Sequence, residues 1–245
     1  MTTQPHPPSV HVDNFSRVYD FYRQHQQSRL KATALYGYTA LAYRPVVRYA
    51  EGVHRYLKHF DASRASMVIC SNHVSEIDQF VLSGGAFLSP LRRHIGTIRV
   101  LAKDGLFVDR RQRHRIDLMG GIPVFRPTDH GRDALGPVRA LISTCVERLK
   151  VGDHVAIFPE GTRNKADPRS IQPIGAGAAH IVSRSMRQGR PIVVLPAAIR
   201  IPELSGARPH LLFGSPFTVE AIAPKRIAEE IRRAMQETVR LVYRS

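Results

Sequence analysis

Two short blocks concentrate the residues that have chemistry to offer. The first, Val68-Ile69-Cys70-Ser71-Asn72-His73-Val74-Ser75-Glu76-Ile77-Asp78, sets a histidine and a carboxylate around a polar turn. An apolar run from Met67 to Cys70 leads into it, and a helical pattern carrying Ile77, Phe80, Val81 and Leu82 follows from about Ser75. A strand–turn–helix junction of this kind brings the Asp78 carboxylate back to one imidazole nitrogen of His73 and leaves the other free to take a proton. A plainer reading stands beside it. Ser75-x-x-Asp78 is also a capping box, and His73 is then an ordinary loop histidine.

The second block is Ile157-Phe158-Pro159-Glu160-Gly161-Thr162-Arg163-Asn164. An apolar strand ends at Phe158, and Pro159 and Gly161 shape a turn that presents a carboxylate, a hydroxyl and a guanidinium together. Arg163 and the turn amides suit a phosphate, and Glu160 suits a neutral hydroxyl as hydrogen-bond acceptor. Two further runs end in informative residues. Gly120 to Arg126 reads as a strand closing on an arginine, and Ile192 to Ala197 as a buried strand ending at Pro196.

Elements that position these blocks alternate along the chain. Strand-like runs fall at Met67–Cys70, Thr97–Leu101, Gly121–Phe125, Val155–Phe158, Ile192–Ile199 and His210–Phe213. Helical patterns fall at Ser75–Phe87, Asp133–Lys150, Ala176–Arg187 and Pro224–Tyr243. Alternation of this sort predicts an α/β fold with a mixed, largely parallel central sheet flanked by helices, whose ligands gather at the carboxyl ends of the strands. Residues 1–11, rich in proline and histidine, are expected to be a disordered lead. Residues 12–62 read as a basic amphipathic two-helix element, broken near 24–28 or at Gly37, with a possible kink at Pro45. The α/β domain is expected over 63–245.

Composition bounds the partners. The chain has 245 residues, 43% of them hydrophobic, enough for one large core. Thirty-six Lys+Arg against 20 Asp+Glu give a formal charge of +16, which calls for an anionic partner: a membrane face, a phosphorylated substrate or nucleic acid. The tyrosine-bearing basic helices at the N-terminus suit an anionic bilayer surface. They equally suit packing on the main domain with a charged face to water. The run of arginines between Arg92 and Arg115 is either a solvated face or an attractor of anions. Cys70 and Cys145 make no disulfide framework and sit in no metal-ligand spacing, so a reducing, cytoplasmic-side setting is expected. No run of about 18 apolar residues predicts a membrane-crossing helix, and no charged-then-apolar leader predicts a signal peptide.

Taken in order, the four blocks resemble the glycerolipid acyltransferase family, especially the 1-acylglycerol-3-phosphate (lysophosphatidate) acyltransferases. The family's asparagine-histidine, four residues, aspartate motif is met by Asn72, His73 and Asp78. Its phenylalanine-proline-glutamate-glycine-threonine-arginine motif is met without change by Phe158 to Arg163, and its aliphatic strand ending in proline by Val193 to Pro196. The family's remaining motif, an apolar strand closing on arginine, has two candidates here. Phe107-Val108-Asp109-Arg110 matches better by letter. Lys103 followed by Gly120 to Arg126 matches the layout, and Arg126 is chosen, with Phe125 where the family has aspartate and Pro123 unusual inside the strand.

The resemblance implies that His73 acts as general base on an acceptor hydroxyl, with Asp78 holding its tautomer, and that the hydroxyl attacks an acyl thioester. It further implies that Asn72, Lys103, Arg126, Glu160, Gly161, Thr162, Arg163 and Pro196 form the substrate-binding set around a glycerol-phosphate head group. The donor would be acyl-CoA or acyl-carrier protein, with no metal and no cofactor. Partners would be the lysophospholipid and an anionic membrane surface, bound peripherally on its cytoplasmic face. A related acceptor, another lysophospholipid or a hydroxylated lipid amide, keeps the same chemistry. A nucleic-acid-binding protein is the reading from a different class, suggested by charge alone and unsupported by any stacking or recognition motif.

Overall fold

The computed structural model describes residues 6–204, 206–220 and 223–244, so the first five residues of the expected disordered lead lie outside the described residues. In chain order the elements are α1 (Phe15–Gln24), α2 (Arg29–Tyr43), β1 (Val46–Tyr49), α3 (Val53–His59), β2 (Ser66–Ser71) and α4 (Asp78–Phe87). Then come β3 (Ile98–Lys103), α5 (Arg110–Leu118), β4 (Gly121–Val124), α6 (Pro127–His130), α7 (Leu135–Lys150) and β5 (His154–Ile157). The chain closes with α8 (Gly177–Arg187), β6 (Ile192–Arg200), β7 (His210–Phe213), β8 (Phe217–Thr218) and α9 (Pro224–Arg244).

The sheet runs β1-β7-β6-β2-β5-β3-β4, with β8 beside β6. Strands β6, β2, β5, β3 and β4 are mutually parallel, while β7 and β8 run antiparallel to β6 and β1 follows β7. The fold is therefore mixed α/β with a mostly parallel sheet. Central strands of such a sheet are buried on both faces, and β2 shows it residue by residue. Val68 and Cys70 join one core with Val155, Val194 and Ala198. Met67 and Ile69 join the other with Val193, Leu195 and Ala197.

Helices α1, α7, α8 and α9 cover the first face, and α2, α3 and α4 the second. Helix α9 shows how: Ile227, Ile231, Met235, Val239 and Val242 recur every three or four residues and are all fully buried. Each such side chain contributes about 1.5–3 kcal/mol of burial, so one charge at Ile231 would cost α9 its seat on β6. On the other face α2 and α4 touch closely because of Gly84, where an added Cβ would stand 3.1 Å from the Ala40 backbone.

Residues 12–62 depart from the expected two-helix element. The break between helices is at 25–28, whereas Gly37 lies inside α2 against the Phe87 ring. Arg44, in the left-handed region at φ 46° just before Pro45, ends α2 instead of kinking it, because a residue preceding proline is disfavoured in the helical region. Val46–Tyr49, read as helix, is an edge strand beside β7, in keeping with its two valines and tyrosine. Helix α1 packs on α7, with Tyr19 Oη donating to the Pro123 carbonyl at 3.0 Å, while α2 packs on α4 across the sheet. The basic run also finds partners. Arg93 donates to the carbonyls of Leu57 and Phe60, Arg99 pairs with buried Asp153 at 2.7 Å, and Arg113 meets Asp117. Among the described residues no helix is long and apolar enough to cross a membrane.

Candidate active site

Because β2, β3, β4 and β5 run parallel, the loops after them emerge at one edge of the sheet, and the sequence blocks converge there. Asn72 to Ile77 form the loop after β2. Asp78 is the first residue of α4 and is fully buried (0% exposed), while the His73 side chain keeps 17% exposure. Asp78 Oδ2 accepts three hydrogen bonds: from His73 Nδ1 at 2.8 Å, the Val74 N–H at 2.6 Å and the Ser75 N–H at 2.8 Å. Ionised, it is further favoured by the N-terminal end of α4. A carboxylate only accepts, so Nδ1 carries the imidazole proton and Nε2 presents its lone pair. No described residue hydrogen-bonds Nε2. The ring is held flat against Phe158, with centroids 4.6 Å apart and planes 26° from parallel.

The cap and the dyad were alternatives in sequence, and the geometry combines parts of both. The helix starts at Asp78, not Ser75, and the reciprocal cap is incomplete, since Ser75 Oγ meets the Ile77 N–H at 3.4 Å. Asp78 takes backbone N–H groups of the loop and the imidazole with one oxygen. The turn that holds the histidine is thus built by the group that orients its ring.

Strand β5 ends one residue before Phe158, and the turn after it closes with the Gly161 N–H donating to the Phe158 carbonyl at 3.0 Å. Gly161 sits at φ +68°, a conformation open to glycine and strained for other residues. Glu160 is buried beneath this turn. Its Oε1 accepts the His73 N–H at 2.9 Å and its Oε2 the Gln172 N–H at 3.0 Å, while burial pushes its carboxyl above the usual range. A second tie, from the Asn164 N–H to the His73 carbonyl at 2.6 Å, fixes His73 from its other side. Sequence reasoning aimed Glu160 at a substrate hydroxyl. Here both oxygens accept backbone N–H groups.

Arg126 follows β4 and reaches the same turn: its Nη1 donates to the Gly161 carbonyl at 3.0 Å. Its other edge binds Asp129, which also lies 3.6 Å from Lys103 Nζ. Beside them His130 Nε2 bonds Asp104 Oδ2 at 2.9 Å, tying the loops after β3 and β4 together. Arg163 is exposed and meets Glu76 at 3.3 Å, and exposed Thr162 donates to Gln172 at 3.4 Å. The rival arginine, Arg110, begins α5, whose cap is Asp109 accepting the Gln112 N–H. Phe125, where an aspartate was expected, is buried edge-on to Tyr19 and His130. Pro123 is tolerated because β4 is the outermost strand.

Asn72 and Pro196 lie deeper. Asn72 is buried, donating to the Ile199 carbonyl at 2.9 Å and accepting its N–H at 2.7 Å, so its amide extends the ladder between β2 and β6. Strand β6 spans Ile192–Arg200, one residue beyond the expected Ile192–Ile199 run, so Pro196 lies inside the strand and not at its end. Pro196 falls where the antiparallel partner changes from β8, opposite Val193 and Val194, to β7, opposite Ala197 onward. Its carbonyl on that side accepts the Gly214 N–H at 2.8 Å. At that gap a missing N–H breaks no ladder bond.

Several contributors went unread in sequence. Gln172 and Ile199 act through their backbones and carry no side-chain signal. Asn164 stands next to the Phe158–Arg163 block, and Asp129 stands three residues after Arg126 in the first turn of a helix, a spacing that favours an ion pair.

A model of the family described as Acyltransferase matches residues 46–200, from β1 to the end of β6, which includes every site residue named above. Comparison with the curated proteins returns no match.

Proposed function

The chain belongs to the acyltransferase family, and from that premise we propose that it transfers a fatty acyl group from acyl-CoA or acyl-carrier protein to the free hydroxyl of 1-acylglycerol-3-phosphate, giving phosphatidate. One observation carries this reading. His73 has its Nδ1 proton committed to Asp78 and its Nε2 unengaged, at an edge where Arg126 and Arg163 also stand.

In the proposed reaction Nε2 removes the proton of the acceptor hydroxyl as its oxygen attacks the thioester carbonyl carbon. The carbon–sulfur bond then breaks, and the imidazolium returns the proton to the departing thiolate, leaving an ester and a free thiol. Asp78 holds the tautomer at the start and stabilises the imidazolium between the two transfers. Arg126, Lys103, Arg163 and the Gly161–Thr162 turn are proposed to bind the phosphate and glycerol of the acceptor. Asn72, Glu160 and Pro196 shape the site through the backbone they hold.

The proposed setting is peripheral, on an anionic cytoplasmic membrane face. Helix α2 supports it: Leu30, Tyr38 and Leu41 are exposed beside Arg29, Lys31 and Arg44 on a chain of formal charge +16. An acceptor panel with a single acyl-CoA, read by product mass, tests the substrate. Phosphatidate from lysophosphatidate is expected. Efficient acylation of acceptors without phosphate, and none of lysophosphatidate, would overturn it.

A further inference from the structure

Two of the three cations proposed for the acceptor phosphate, Arg126 and Lys103, are already paired with one carboxylate of the chain itself. Asp129 accepts from Arg126 Nε at 2.8 Å and Nη2 at 3.2 Å, and stands 3.6 Å from Lys103 Nζ. That Nε–Nη2 edge is the one through which a guanidinium best grips a phosphate in two parallel bonds. Among the described residues the Asp129 carboxylate touches no group besides these two cations. Its hydrogen bond from Arg126 keeps its carboxyl below the usual range, so it is ionised at neutral pH.

Arg126 has a second anchor besides Asp129, since Nη1 donates to the Gly161 carbonyl at 3.0 Å. The neighbouring carboxylate is partnered differently: Asp104 Oδ2 is bonded to His130 Nε2 at 2.9 Å and to neither Arg126 nor Lys103. Arg126 and Asp129 lie at the rim, 27% and 26% exposed, where exchanging one ionic partner for another costs little.

We propose that Asp129 is a resident counter-ion that the acceptor's phosphate displaces, and that it tunes how strongly the site favours phosphate-bearing over uncharged acceptors. The inference rests on the proposed acceptor. With Asp129 in place the three groups carry one net positive charge. A phosphate arriving at Arg126 and Lys103 frees the carboxylate toward water. Substrate and product carry the same phosphate, so a site with both cations unopposed would hold product as firmly as substrate and slow its release. Asp129 competes with both.

Asp129→Asn removes the charge and keeps the shape. Inorganic phosphate is the probe for binding, followed by calorimetry, and thiol release with lysophosphatidate or with uncharged 1-acylglycerol reads selectivity. We expect phosphate to bind about two- to fivefold more tightly, and the kcat/KM ratio of the two acceptors to move toward lysophosphatidate by a similar factor. Weaker phosphate binding, or a ratio unchanged or moved the other way, would overturn the proposal and make Asp129 an aiming residue for Arg126. Asp129→Ser must change phosphate binding in the same direction, which covers a poorly folded asparagine variant. A parent chain that acylates 1-acylglycerol but not lysophosphatidate removes the acceptor reading, and phosphate calorimetry still decides the role of Asp129.

Discussion

His73 and Arg126 stand on loops of the same sheet, yet the two halves of the site they anchor are held in different ways. Around His73 the partners are buried and belong to the backbone. Asp78 binds the Val74 and Ser75 N–H groups, Glu160 binds the His73 and Gln172 N–H groups, and Asn72 is locked to Ile199. Around Arg126 the partners are mostly exposed side chains, Asp129 and Lys103 with Arg163 and Glu76 nearby. Buried hydrogen bonds that leave a group unsatisfied when broken cost about 1–3 kcal/mol each, whereas exposed ion pairs are worth about 0–1 kcal/mol. The geometry of the proposed proton transfer is therefore held by buried backbone contacts, and the proposed head-group recognition rests on contacts that a single side-chain change can retune.

That contrast is open to attack from both sides. The largest effect is expected at Asp78→Asn, which keeps the size of the side chain but disturbs the tautomer. Turnover should fall by about 10²–10⁴-fold with KM little changed, measured by thiol release. Arg126→Ala should instead raise KM for the acceptor by about ten- to a hundredfold, as loss of a charge-assisted contact does, and leave kcat within a few-fold. If both variants moved the same parameter, the division of labour would be lost. Glu160→Gln should lower kcat by about tenfold and cost about 1–3 kcal/mol of stability, because one of two buried N–H groups loses its acceptor. Equal damage to KM would return Glu160 to the substrate.

A smaller effect separates the fold's base from its working edge. His94 and His154 meet edge-on and both lie edge-on to Phe60, at the opposite end of β5 from the Glu160 turn, and burial pushes their pKa down from 6.5 to about 4 and about 3. The unfolded chain takes up these protons first. Their contribution to stability is complete above pH 6.5 and is lost as pH falls toward 4 and 3. The melting temperature should drop over that range by on the order of 10 °C. His154→Gln should make the dependence shallower, and an unaltered slope would remove His154 from the account.

Much of the fold was legible because parallel strands buried on both faces appear as short apolar runs, as in Met67–Cys70 and Ile192–Ile199. Strand β1 was not, since Val46, Val47 and Tyr49 follow directly on the apolar spacing of α2 and only pairing with β7 distinguishes them. Helix α5 was missed for the opposite reason. Its sequence, Arg110 to Leu118, is mostly polar with only Ile116 and Leu118 apolar, and it is anchored by Arg113 and Asp117 to Tyr22 instead of by an apolar stripe. In the site, His73 and Asp78 were readable together because they share one turn. The bond from Glu160 to the His73 backbone joins residues 87 apart and leaves no trace in local pattern. Asp129 escaped notice because its spacing from Arg126 marks an ion pair only once Pro127–His130 is known to be a helical turn.

The central claim is that His73 Nε2 takes the acceptor proton, and His73→Ala tests it most directly. With acyl-CoA and lysophosphatidate, thiol release should fall by about 10²–10⁴-fold while circular dichroism and melting temperature stay close to those of the parent chain. Near-normal thiol release from a folded His73→Ala protein would contradict the mechanism.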